Sequence, residues 1–166
     1  MNNCHFSDKY TAVDFAEEPY IGIRYILPST SEEEKLSIKK YPFINKRNLK
    51  VKLKDIKDNK EYSFEIPKGY CFDGASVPRF FWRIIGSNTD NQFLIAALVH
   101  DVLCENHSYI DNDREFSTRV FNLLLKESGV KPIKRFLMKH SVNTFQALFC
   151  KWGGVNGING GKSKRG

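Results

Sequence analysis

The chain has 166 residues, 41% of them hydrophobic and 13% aromatic, enough to fold around one real core and too many to stay disordered. Its formal charge of +7 draws it toward anionic partners, yet the lysines are interleaved in strands or gathered at the ends, and no nucleic-acid-binding motif is present. No apolar run reaches the roughly 18 residues of a membrane span, and MNNCHFSDKYTAVDFAEE has no basic start followed by an apolar stretch, so synthesis in the cytoplasm is expected. Cys4, Cys71, Cys104 and Cys150 are scattered without a C-x-x-C pair, which argues against a zinc ribbon or a disulfide framework and for free, buried or half-buried thiols.

Residues 1–19 carry no clear pattern. Tyr20–Leu27 (YIGIRYIL) reads as a strand closed by Pro28. Ser29–Lys40 is polar and reads as a loop or one helical turn. Leu49, Val51 and Leu53 then alternate with Lys50, Lys52 and Lys54, a period of two with one face buried and one wet. Lys57–Lys60 supplies turn residues, and Tyr62, Phe64 and Ile66 alternate with Ser63 and Glu65, completing a β-hairpin ended by Pro67-Lys68-Gly69.

The second half is helical. Pro78–Ile85 forms a short helix with Pro at its first position and Gly86 after its end. A longer helix begins near Asp90 and runs to Asn106; it is apolar almost all round between Phe93 and Leu103 and so should be the central buried helix. A third starts on Asn112 or Asp113 as N-cap and stops at Gly129. A fourth follows Pro132, with Ile133, Phe136, Leu137, Phe145, Leu148 and Trp152 on one stripe. These elements predict an α+β domain over residues 1–152, an N-terminal β-hairpin or small antiparallel sheet packed on about four helices. Residues 153–166 hold six of the 11 glycines with Lys162, Lys164 and Arg165, a flexible basic tail by composition and the expected docking segment for other proteins.

Two segments place polar residues in apolar surroundings: Gly69–Trp82, with Asp73, Ser76, Arg79 and Trp82, and Ala96–Leu103, with His100 and Asp101. His100 shares a helix face with Ala96, Ala97, Leu103 and Cys104, and the two alanines leave room for another element to approach. Asp101 points about 100° away, so the two side chains cannot bond each other as a dyad, and Asp101 needs a cation, a metal or backbone donors. Asp73 and Ser76 also suit plain turn and N-cap duties. His100, Asp101, Asp73 and Ser76 are the candidate catalytic residues, Arg79, Trp82 and Arg114 the candidate binding residues, and Asp101 the candidate metal ligand.

The strings IPKGYCFDGASVPRFFW and AALVHDVL resemble a phage and prophage family known as a domain of unknown function (number thirteen fifty-three), whose pattern is P-x-G-F-x-T-D-x-A-S-x-P-R, A-x-x-H-D-x-x-Y and R-x-x-A-D-x-x-F. The likeness runs from Ile66 to Phe121. Phe72 replaces the Thr before Asp73, Cys104 stands at the Tyr, and Thr118, after Arg114, stands at the Asp of the third motif. The family layout is in turn similar to phospholipase A2, which implies His100 as general base, Asp101 as calcium ligand, Asp73-Gly74-Ala75 in place of the calcium loop, and an Asp at position 118 to orient the histidine. The His-Asp pair is also similar to metal phosphohydrolases, for which His5 is the upstream histidine. Two functions follow from these resemblances: a non-catalytic virion or assembly component with a degenerate site, and a calcium-dependent hydrolase. A catalytic His100 must open onto a cleft; a structural one is sealed and hydrogen-bonded.

Overall fold

The computed structural model describes residues 4–74 and 93–149. The architecture is α+β. Strands β1 (Cys4–Ser7), β2 (Thr11–Phe15), β5 (Leu49–Asp55) and β6 (Lys60–Ile66) form one antiparallel sheet in the order β1-β2-β5-β6. Strands β3 (Ile21–Ile23), β4 (Phe43–Asn45) and β7 (Cys71–Phe72) form a second, in the order β3-β4-β7. Helix α1 (Glu32–Lys40) lies between β3 and β4, and α2 (Leu94–Glu105), the single turn α3 (His107–Ile110), α4 (Arg114–Glu127) and α5 (Pro132–Phe149) follow the sheets.

The hairpin forms as its period of two dictates, Leu49 facing Ile66 and Asp55 facing Lys60, with Leu49, Val51, Leu53, Tyr62 and Ile66 buried and Lys50 and Lys52 exposed. Its inner face meets α4, where Tyr62 stacks on Phe116 with ring centroids 4.8 Å apart. α4 starts where its sequence signals it, Asp113 accepting a 2.7 Å bond from the Phe116 N–H, and ends before Gly129 at φ +80. α2 buries Leu94, Ala96, Ala97, Leu98, Val99, Val102 and Leu103, the centre of the core.

Several expectations are corrected. The strand over Tyr20–Leu27 shrinks to Ile21–Ile23, because its neighbour among the described residues, β4, begins after Pro42; Tyr25, Ile26 and Leu27 are exposed. The unreadable N-terminus supplies β1 and β2, and β2 completes its pairing only against β5. Ser29–Lys40 is more than one helical turn: Ser31 caps α1 by accepting from the Glu34 N–H at 3.2 Å, with Glu32–Glu34 in the first turn and Lys39 and Lys40 in the last, each suited to the helix dipole. On α5 the buried face carries Met138, Ser141, Val142 and Gln146, while Ile133 and Phe136 are exposed. The expected helix Pro78–Ile85 and the tail 153–166 lie outside the described residues. Cys4, Cys71 and Cys104 are half-buried thiols. Among the described residues no helix is long and apolar enough to cross a membrane.

Candidate functional site

The corner after the hairpin delivers Asp73. Buried Asn45 anchors that corner, its amide donating to the carbonyls of Arg47 (2.6 Å), Pro67 (3.0 Å) and Ile66 (3.2 Å), while its backbone N–H donates to Tyr70 and its backbone carbonyl accepts from Gly69. β7 then pairs with β4, Phe72 opposite Phe43, their rings 5.6 Å apart. Phe72 is thus a core residue, 1% exposed. Gly74 follows Asp73 at φ +87, and a Cβ there would come within 2.3 Å of the Phe43 ring, so only glycine fits.

Asp73 meets Asp101 of α2. The two carboxyls share a hydrogen bond, and Asp101 also accepts from the Asp73 backbone N–H. Burial first, and then the neighbouring Asp73 carboxylate, hold Asp101 well above the usual carboxylate range. Two carboxyls this close favour sharing one proton over carrying two charges. Among the described residues, the requirement for a partner is met by a carboxyl and a backbone donor. One turn along α2, Glu105 accepts from the Tyr70 hydroxyl at 2.6 Å; burial, then that bond, push the phenol pKa up.

His100 is 5% exposed. Its Nδ1 lies 3.8 Å from Asp101 Oδ1, beyond hydrogen-bond reach, as divergence along a helix requires. Its Nε2 is bonded to the side-chain amide of Gln146 on α5, and Cys104 Sγ sits 3.4 Å from Nε2. The same amide reaches Cys104 Sγ at 3.4 Å, and Phe121 packs on the ring at 5.1 Å between centroids. Burial pushes His100 down to about 3, so the ring is neutral at physiological pH and a weak base.

The structure therefore brings Asp73, His100 and Asp101 together. Arg114 does not join them; it lines a separate cleft with Thr118, whose hydroxyl donates to the Arg114 carbonyl at 2.9 Å. The ring partner expected at position 118 of α4 is instead Gln146, a residue missed because it stands in an otherwise apolar stretch; its spacing from Met138 and Val142, eight and four residues, was the available signal. Ser76, Arg79 and Trp82 lie outside the described residues. The described residues do not fit calcium: a hard cation takes six to eight oxygens, whereas Asp73 and Asp101 bond each other and Glu105 is engaged with Tyr70. Among the described residues no cluster of three or more His, Cys, Asp or Glu is arranged to hold a metal ion.

Residues 49–142, more than half the chain, match the family described as "Protein of unknown function (DUF1353)". The chain belongs to this family. The match extends the Ile66–Phe121 resemblance back through the hairpin and forward into α5, and stops short of Gln146. The chain is also similar to the uncharacterized protein y4jT of Sinorhizobium fredii (strain NBRC 101917 / NGR234), with 35% identity over 80 residues. That match covers 48% of this chain and 23% of the relative. No solved structure matches the chain.

Proposed function

We propose that this protein is a non-catalytic component of a phage or prophage particle, or of its assembly, and that Asp73, His100 and Asp101 lock the β7 corner and α5 onto the central helix. The observation that carries this reading is the sealing of His100: 5% exposed, bonded to Gln146, against Cys104 and under Phe121. A general base needs a lone pair open to water or substrate; here the ring is spent on fold contacts. The Asp73–Asp101 pair supports the same reading, since its shared hydrogen bond and the Asp73 backbone N–H join sheet to helix directly. The resemblance to phage and prophage proteins supports the setting: synthesis in the host cytoplasm, with residues 153–166 docking on other virion proteins beyond the domain of residues 1–152.

The test has two parts. Mass spectrometry of purified particles from a producing strain is expected to find the protein. Thermal melts of wild type and Asp101→Asn, in calcium and in chelator, are expected to show no ion dependence, because mass action stabilises only a protein that binds the ion. A calcium shift present in wild type and lost in Asp101→Asn, with phospholipid hydrolysis abolished by His100→Asn, would replace this reading with the hydrolase.

A further inference from the structure

A second polar site lies between α4 and α5, apart from Asp73, His100 and Asp101. On α4, Arg114, Thr118 and Asn122 repeat every four residues; on α5, Lys139 and Asn143 do the same. The two ladders line one cleft of about 630 Å³, to which the β1–β2 turn adds Asp8 and Tyr10 and the β5–β6 turn adds Lys57. That volume is within the range of small-molecule sites.

The charges in this cleft divide into two sets. Arg119 is held by buried Asp55 and, at 2.8 Å, by Glu115, which also takes Lys57 at 3.4 Å. Those cations are committed to the fold. Asp8 accepts from the backbone N–H groups of Tyr10 and Thr11 at 2.8 and 2.9 Å and shapes its turn. Arg114 and Lys139 have no ion pair with any described residue, and the half-buried amides of Asn122 and Asn143 make no hydrogen bond to one. A half-buried arginine facing a cleft with amides beside it is a ready receptor for an oxyanion.

We propose that this cleft binds a small polar molecule through a single oxyanionic group, a phosphate ester or a carboxylate, held by Arg114 and Lys139, with Asn122 and Asn143 bonding its body. A nucleic-acid backbone fits less well. It would lie on the exposed lysines of the sheet, Lys50 and Lys52, rather than enter a concave cleft between helices.

Titration calorimetry of the full chain with glycerol 3-phosphate, succinate and glycerol tests this. Saturable binding is expected for one or both anions and not for glycerol, and the stronger of the two names the group. Arg114→Gln and Lys139→Gln should each weaken it by about tenfold, the effect of losing one charged hydrogen bond, while Lys52→Gln on the sheet should leave it unchanged. Melts in buffer establish that each variant folds; if Arg114→Gln does not, exposed Lys139 carries the test. Heats that never saturate with either anion, or an equal loss in Lys52→Gln as any basic surface or a nucleic-acid face would give, overturn the proposal.

Discussion

The two polar regions that touch α4 are built on opposite plans. Around His100 the polar groups are turned inward, and the principal ones meet another part of the chain: Gln146 and Cys104 for the ring, Asp73 for Asp101, Tyr70 for Glu105. Across the helix, Arg114, Lys139, Asn122 and Asn143 face an opening and are answered by nothing described. Among the described residues, those that look most like catalysis in the sequence belong to the closed region, and the open one is made of residues that look like ordinary surface. Polarity in an apolar helix marks a demand for partners, and whether the fold or a ligand meets that demand is decided by what packs opposite.

The largest effect should come where the open region meets the core. Asp55 is 1% exposed and anchors Arg119 while accepting from the Lys57 N–H at 3.1 Å. Asp55→Ala leaves a cation without its buried partner and should cost about 3–5 kcal/mol in urea unfolding; a loss below about 1 kcal/mol would mean that the cleft floor is not structural.

Within the closed region, His100→Leu and Gln146→Leu should each cost about 1–3 kcal/mol, since each strands a buried polar group. The double variant should cost clearly less than the sum, because removing both partners removes the unmet demand. Additive losses would break the picture of a directly bonded pair.

Acid titration sharpens the contrast further. His100 is depressed in the fold, so the unfolded chain binds its proton first: stability is full above about 6.5 and falls as pH drops toward the folded value of about 3, by up to about 1.4 kcal/mol per pH unit. Asp101 is raised, so its contribution runs the other way: the penalty is absent below the unfolded value of about 3.9 and grows as pH rises toward the folded value. His100→Asn should flatten the loss below about pH 6.5, and Asp101→Asn should cost little at neutral pH or stabilise slightly. Unchanged pH profiles in both variants would show that neither group is buried as described.

The smallest effect belongs to the open region's rim. Glu115→Gln, with a side chain 70% exposed, should change stability by less than about 1 kcal/mol despite losing contacts to Arg119 and Lys57.

Much of the fold was legible because its signals are local. The alternating lysines of β5, the Asp113 cap, Gly129 and the all-apolar stretch of α2 each announce an element within a few residues. β1 and β2 were not legible, because β2 gains its place by pairing with a strand more than thirty residues away. α1 was legible in principle through Ser31-x-x-Glu34 but was obscured by its low apolar content. On α5 the apolar stripe misled: Ile133 and Phe136 are hydrophobic and exposed, while Ser141 and Gln146 are polar and buried, because α4 and His100 decide which face turns inward. Asp73 and Asp101 could be placed together from two polar motifs entering one core; that they would satisfy each other could not be read without the backbone that presents the Asp73 N–H.

The ionisation of His100 tests the sealed region most directly. In protein labelled at the histidine ring, NMR should separate His100 from His5, His107 and His140 by its absence in His100→Asn. Its shift is expected to stay that of a neutral imidazole from pH 7 down to about 5 in the folded protein, unaffected by calcium. A midpoint near 6.5, or a ring signal that moves when calcium is added, would contradict a buried lock and restore His100 as a working base.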